Sequence, residues 1–106
     1  MARPRLYGVI MTTALAVGRV ARRLRIRGVV QGVGFPPLVF RLAGSHRVTG
    51  WVRTGNDGVE IHAEGLAADI TAFVEMLEAK APAGARITAV DVAPATLQNL
   101  HSFEIL

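Results

Sequence analysis

From Arg22 onward, apolar and polar residues alternate along the chain as they do in half-buried β-strands. The first run reaches Val30, with Leu24 and Ile26 on one face and arginines on the other. A period of two places successive side chains on opposite faces of a sheet. The same alternation predicts four further strands, at residues 48–53, 59–64, 87–92 and 102–106.

Two segments instead carry apolar residues at helical spacing. The first runs from about Pro36 to Gly44 and opens on two prolines, which the first turn of a helix tolerates. The second runs from about Ala67 to Lys80. Asp69 lies near its positive end and Lys80 near its negative end, and both charges favour a helix through its dipole.

The predicted order is therefore β-α-β-β-α-β, with a short additional strand at the end of the chain. This is the split βαβ, ferredoxin-like arrangement. We predict an α+β fold, with an antiparallel sheet and two helices on one of its faces. In the last strand, Phe103 and Ile105 are expected to face the core. Residues 21–106 would form this one domain.

Residues 1–20 are not needed for such a fold. Arg3 and Arg5 precede a mostly apolar run from Leu6 to Gly18, which has the character of a weak secretory signal. The run is too short for a comfortable transmembrane helix. A start of translation at Met11 is a second interpretation. We favour a disordered leader or a misannotated start over a signal peptide.

Charge is distributed unevenly between the two halves of the chain. Residues 1–56 hold ten arginines and no acid, whereas residues 57–106 hold all eight acids and only Lys80 and Arg86 as cations. The first half is thus where an anion would be attracted, and arginine suits planar oxyanions. An arginine-rich codon bias would explain the excess equally well.

The sequence contains no cysteine, which excludes disulfides, cysteine metal sites and thiol nucleophiles. The absence fits a reducing compartment, and we expect a cytoplasmic protein without a membrane partner. His46, His62 and His101 lack the spacing of metal ligands and are interpreted as surface or strand residues. We expect no metal and no cofactor.

Nucleic-acid binding is the least favoured of the functions that this fold would allow. RNA-recognition modules share the predicted order of elements, but they stack bases on aromatic residues of the central strands. The strands at 22–30 and 59–64 contain no aromatic residue. Trp51 on the second strand is interpreted first as strand packing and second as a contact for a partner.

A glycine loop separates the first strand from the first helix. It is defined here as the five residues Gln31, Gly32, Val33, Gly34 and Phe35. The two glycines allow the backbone to approach a ligand closely, and the start of a helix adds partial positive charge. Phosphate, sulfate or carboxylate would suit such a loop. A tight strand-to-helix turn without a ligand would explain the glycines as well.

Two motifs resemble those of the acylphosphatase family. Residues 29–35, V-V-Q-G-V-G-F, resemble its signature V-Q-G-V-x-F, which is followed by arginine, and residues 49–53 resemble its second motif, G-W-V-x-N. The resemblance extends from about Arg22 to Leu106. Segments 35–43, 56–61 and 81–87 are also similar to the domain that opens the HypF-type carbamoyltransferases of hydrogenase maturation.

The resemblance implies hydrolysis of a carboxyl-phosphate bond without metal or cofactor. Amides of the glycine loop and an arginine would hold the phosphate, and an asparagine would orient the attacking water. The implied partners are a small anion, namely an acyl phosphate, carbamoyl phosphate or inorganic phosphate, and the carbamoyltransferase domains of a longer chain.

Both catalytic positions of the family are changed in this sequence. Pro36 stands where the arginine is expected and Thr54 where the asparagine is expected. Four residues are candidates to restore the lost groups: Arg27, Arg41, Arg53 and Asn56. The resemblance therefore leaves two functions open. One is a hydrolase with impaired catalysis, and the other is an inactive module that binds an oxyanion or handles substrate.

Overall fold

Five strands and two helices follow one another in the predicted order in the computed structural model, which describes residues 18–106. They are β1 (Arg19–Val29), α1 (Phe35–Ser45), β2 (Thr49–Thr54), β3 (Gly58–Leu66), α2 (Ala67–Ala79), β4 (Arg86–Ala95) and β5 (Phe103–Ile105). Every predicted element is present, with ends within a few residues of the prediction. Most of the predicted leader lies outside the described residues. Neither helix of the described part is long and apolar enough to cross a membrane.

The strands form one sheet in the order β4-β1-β3-β2-β5. Neighbouring strands are antiparallel except for β2 and β5, which are parallel. The α+β, ferredoxin-like fold is thus confirmed, with one parallel pair added at an edge. This pair arises because residues 96–102, called here the crossover segment, carry the chain from one edge of the sheet to the other.

The main core lies between the sheet and the helices. Leu24, Ile61 and Val52 are in register on three neighbouring strands, and all three are fully buried. Burying a side chain of this size stabilises the fold by about 1.5–3 kcal/mol. The helices add seven further large apolar side chains to the core: Phe35, Leu38, Val39, Leu42, Ile70, Phe73 and Leu77.

The short edge strand β5 fulfils its prediction only in part. Phe103 packs against the core, with its ring centroid 6.4 Å from that of Phe73. Ile105 lies on the same face of the sheet as Phe103, in register with the buried Val52, but it is 48% exposed and so is not part of the core. The physical reason is its position at the edge of the sheet, where only β2 flanks the strand.

Strand β3 is buried on both faces, although its alternating pattern predicts burial on one. His62 and Glu64 lie on the face opposite the helices, called here the open face, and both are fully buried. The crossover segment covers them. Glu64 accepts hydrogen bonds from the backbone amides of Gln98 and Leu100, the latter at 2.9 Å. His62 is therefore a strand residue, as expected, but not an exposed one.

A chain of hydrogen bonds connects Arg23 to Glu64 through His62. The Arg23 guanidinium lies 3.2 Å from His62 Nδ1, and His62 Nε2 lies 2.8 Å from Glu64 Oε2. A guanidinium can only donate, so Nδ1 accepts and the ring proton is on Nε2. The Trp51 ring stacks on His62 at 5.7 Å, which supports the interpretation of Trp51 as strand packing.

Burial raises the pKa of Glu64, but the hydrogen bonds from Gln98, His62 and Leu100 outweigh it. The pKa of Glu64 in the folded protein is therefore below its ordinary value of 4.5. Protons bind more readily to Glu64 in the unfolded chain, so its stabilising contribution is present above pH 4.5. That contribution is lost as the pH falls through the folded-state pKa.

We expect Glu64→Gln to lower the free energy of unfolding by about 2–4 kcal/mol at pH 7, because an amide cannot accept all three donors. At an acidic pH below the folded-state pKa of Glu64 the difference from the wild type should be much smaller, since the carboxyl group is protonated there. Urea unfolding followed by fluorescence of Trp51, the single tryptophan, measures both values. Glu75 is an exposed acid on α2, and Glu75→Gln is the matched control. It should leave the free energy of unfolding unchanged at both pH values. Equal losses at both pH values would contradict the assigned role of the carboxylate.

Candidate functional site

The glycine loop occupies one end of the sheet, between the last residue of β1 and the first turn of α1. Gly32 and Gly34 have φ angles of 70° and 80°, in the left-handed region that favours glycine. A Cβ atom at either position would meet no other atom within 4 Å. The loop is therefore glycine-rich because of its backbone conformation, and its outer surface is open to a ligand.

Val33, between the two glycines, does not present its side chain on that open surface. The side chain is half-buried and packs against the main core. Its Cγ1 atom would lie 3.6 Å from a Cβ placed at Gly84, so it faces the connection between α2 and β4. Burial of an apolar group accounts for this orientation. Val33 can therefore offer an anion only its backbone N–H. The prediction that Val33 belongs to a phosphate-binding loop thus applies to this N–H group and not to the side chain.

The start of α1 contributes fewer amides than an ordinary helix. Gly34 is its N-cap, and Phe35, which is fully buried, fixes the loop to the core. Pro36 and Pro37 follow in the first turn and have no N–H group. The first turn has no acidic residue to repel an anion. Anion binding here would thus depend on the backbone amides of the loop rather than on those of the helix.

A side-chain hydrogen bond connects the glycine loop to the β2–β3 turn, defined here as residues 54–58. The amide of Gln31 donates to the carbonyl oxygen of Gly55. The turn itself is closed by a bond of 2.8 Å from the Gly55 amide to Gly58. The structure therefore brings Thr54, at the end of β2, to the same end of the sheet as the loop. Sequence analysis placed Gln31 in the loop but did not foresee this contact.

Neither substituted position carries a charge at this end of the sheet. Thr54 is exposed, and Pro36 is half-buried at the start of α1. The Thr54 hydroxyl can donate one hydrogen bond and accept others, whereas an asparagine would offer two donors on one nitrogen. The two positions lie at the same end of the sheet, and neither carries the chemical group that the resemblance implies.

The candidates for restoring the lost groups are not gathered at the loop. Arg27 forms an ion pair of 3.3 Å with Asp91, and Arg53 donates to Glu60 at 2.8 Å; both pairs lie on the open face. Arg41 is exposed on α1. Among the described residues, none of these guanidinium groups bonds to the loop. Asn56 lies in the β2–β3 turn, two residues after Thr54.

Glu60 holds two arginines on the open face. It accepts from Arg53 at 2.8 Å and from Arg23 at 3.3 Å. Burial raises the pKa of Glu60, but the hydrogen bonds and charges of Arg53 and Arg23 outweigh it, so this pKa is below the ordinary value. Glu60 therefore remains ionised at neutral pH and keeps Arg53 engaged.

A groove of about 450 Å³ opens beside the β2–β3 turn. Its lining comprises residues 53–60 and Arg25, and it includes no residue of the glycine loop. The groove thus lies on the open face, whereas the glycine loop connects β1 to α1 on the opposite face of the sheet. In the sequence, nothing distinguishes Arg25 from the other arginines of the alternating strand pattern at residues 22–30.

Comparison with known proteins gives a consistent result over most of the chain. The acylphosphatase family model matches residues 22–105. Over 65 residues the chain is 51% identical to carbamoyltransferase HypF2 of Cupriavidus necator, covering 61% of this chain and 8% of that protein. Over 86 residues it is 40% identical to the acylphosphatase of Thermotoga maritima, covering 80% of this chain and 94% of that protein.

Solved structures show the same two kinds of relative. Full-length HypF in its phosphate- and nucleotide-bound form superposes with a TM-score of 0.81 at 33% identity, over 83% of this chain and 12% of that one. Acylphosphatase from Bacillus subtilis superposes with a TM-score of 0.77 at 34% identity, over 82% and 98% of the two chains. The chain therefore spans a small fraction of the carbamoyltransferases and nearly the whole of the acylphosphatases.

Two alanine substitutions distinguish the effect of backbone strain on stability from the effect of steric contacts. A Cβ at Gly34 or at Gly44 would meet no atom within 4 Å, but only Gly34 has a positive φ. We expect Gly34→Ala to lower the free energy of unfolding by about 1–2 kcal/mol through backbone strain. Gly44→Ala, inside α1, should instead raise it by up to about 1 kcal/mol. Thermal unfolding of both variants measures this, and equal effects would contradict a left-handed loop.

Proposed function

The chain belongs to the acylphosphatase family, and we propose that it binds the phosphate group of an acyl phosphate or of carbamoyl phosphate at the glycine loop. We propose further that it hydrolyses the carboxyl-phosphate bond only slowly. The observation that carries this proposal is the pair of substitutions, Pro36 and Thr54, at the two positions where the family has its catalytic groups.

Binding is supported by the conformation and the surroundings of the loop. The left-handed glycines leave its outer surface open, and no acid lies in the first turn of α1. Backbone amides are fixed dipoles that can neutralise an oxyanion without reorganising. The hydrogen bond of Gln31 to Gly55 keeps the loop next to the turn that carries Thr54. These features are independent of the residue at position 36.

Slow turnover follows from the charge that phosphoryl transfer develops. As water attacks phosphorus, negative charge spreads over the equatorial oxygens of the phosphoryl group and must be neutralised. An arginine that does so contributes a factor of about 10³–10⁵ in other phosphoryl-transfer enzymes. Pro36 contributes neither charge nor N–H. The Thr54 hydroxyl can still bind a water, but it holds that water through fewer directed bonds.

The partners of the candidate arginines argue against their restoring the lost charge. Arg53 would have to leave Glu60, and Arg27 would have to leave Asp91, before either could turn from the open face toward the loop. Arg41 lies on α1 beyond the first turn. Asn56 would need a shift within the turn to take over the orientation of a water.

A catalytically inactive module is the second candidate function. In this case the domain would bind an oxyanion or hand carbamoyl phosphate to the other domains of a HypF-type carbamoyltransferase in hydrogenase maturation. The identity of 51% to a HypF carbamoyltransferase favours this setting. A module with this role could lose both catalytic groups and still keep the glycine loop for binding.

The double variant Pro36→Arg, Thr54→Asn tests the proposal directly. We expect it to hydrolyse benzoyl phosphate and carbamoyl phosphate at least about 10³-fold faster than the wild type, because it regains the charge and the amide. Initial rates of phosphate release measure this. Pro37→Arg is the matched control, since it places an arginine in the same helical turn one residue away. It should give no such gain.

The remaining outcomes discriminate between the two functions. A wild type as fast as the double variant would contradict impaired catalysis. Inactivity of both proteins would contradict an intact binding loop. A wild type that binds phosphate at the loop without any turnover, beside an active double variant, would favour the inactive module.

A further inference from the structure

The groove beside the β2–β3 turn contains positive charge that the proposed hydrolysis does not use. We propose that this groove is a second anion-binding site, which takes the carboxylate or phosphate group of a small molecule through the guanidinium of Arg25. No residue of the glycine loop lines the groove, but Thr54 and Asn56 of the β2–β3 turn do. The groove therefore adjoins the proposed hydrolytic site without including its anion-binding loop.

Among the residues that the structure describes, Arg25 is the unpaired arginine in this region of the open face, because the neighbouring arginines form ion pairs. That face carries four arginines in this region: Arg23, Arg25, Arg27 and Arg53. Glu60 engages two of them, at 3.3 and 2.8 Å, and Asp91 engages a third at 3.3 Å. Arg25 stands opposite both acids in the strand register. Yet it has no hydrogen-bond or ion-pair partner among residues 18–106.

The composition of the groove favours an anion over a cation. Two guanidinium groups, those of Arg25 and Arg53, and two carboxylates, those of Glu60 and Asp57, line the groove. Arg23, beside the groove, also donates to Glu60. Glu60 already receives bonds from two of the arginines, so its charge is compensated. Asp57 is exposed and opposes an anion. A positive charge therefore remains at Arg25, and the Asn56 amide adds neutral donors.

The groove suits a small molecule better than a nucleic acid. At about 450 Å³ it can hold a compact ligand. Binding of single-stranded RNA on this face would require an available aromatic surface. Trp51, the aromatic residue of the open face among the described residues, is already engaged. His62 stacks on its ring at 5.7 Å, and two guanidinium groups lie 4.9 and 5.1 Å from its centre.

Titration of the 106-residue chain by ¹H–¹⁵N NMR at low ionic strength tests the site. Inorganic phosphate is the probe in one arm and succinate in the other. We expect saturable shifts of the backbone amides of residues 56–58 and of the Arg25 Nε–H in at least one arm. A response to both anions identifies a general oxyanion site, and a response to one identifies the group that it prefers.

Three variants determine whether Arg25 is responsible. Arg25→Gln should weaken binding at the groove by about three- to tenfold, as expected for a charged contact exposed to solvent. Asp57→Asn should strengthen it by a similar factor, because an opposing charge is removed. Arg27→Gln is the matched control on the same strand and face. It should change the affinity by less than about twofold, since Arg27 is paired with Asp91.

Several results would overturn the proposal. Shifts confined to residues 32–35 would leave the glycine loop as the anion site and exclude the groove. Equal weakening by Arg25→Gln and Arg27→Gln would indicate diffuse attraction without a site. Saturable binding of a single-stranded RNA that shifts the Trp51 indole N–H would assign the face to nucleic acid. None of these results depends on turnover at the loop, so this proposal and the proposed hydrolysis can fail separately.

Discussion

The buried carboxylate of Glu64 holds together parts of the chain that are far apart in sequence. It accepts the amides of Gln98 and Leu100 in the crossover segment and, on the same strand, the ring of His62. An ionised group is stable in such a place only when its oxygens are satisfied by donors, and here they are. Strand β5 depends on this arrangement, since it can reach β2 only after the crossover segment has passed over the sheet.

The consequences of this contact extend to both faces of the sheet. On the open face, it gives β3 a cover and allows His62 to be buried between Arg23 and Glu64. At the edge, it brings β5 to β2, where Gly50 and Leu106 donate backbone hydrogen bonds of 2.9 Å that fix the strand. The aromatic ring of β5 then reaches the core beside that of α2. A strand of three residues could not hold this position by its own pairing.

Electrostatics connects the two halves of the sequence in a similar manner. The first half contains ten arginines and the second half all the acids, which by itself suggests one positive surface. Folding places β1 between β3 and β4, so acids of the second half reach arginines of the first. Three of the eight described arginines of the first half, Arg23, Arg27 and Arg53, are used in these pairs. Beside the β2–β3 turn, what remains for a ligand is local: the amides of the glycine loop, and Arg25 in the groove.

Strand and helix positions, the ferredoxin-like order and the glycine loop could be predicted from the sequence alone, because alternation, helical spacing and turn residues are local properties. The family was indicated by the resemblance of two short motifs. The substitutions at Pro36 and Thr54 were equally visible, since they occupy fixed positions in two short motifs.

Only the tertiary structure decided which side chains are covered or paired: the burial of His62 and Glu64, the inward side chain of Val33, the exposure of Ile105, the contact of Gln31 with Gly55 and the unpaired charge of Arg25. Each of these depends on which elements become neighbours and on where the crossover segment runs. Those contacts join residues that are distant in sequence, and no local pattern encodes them.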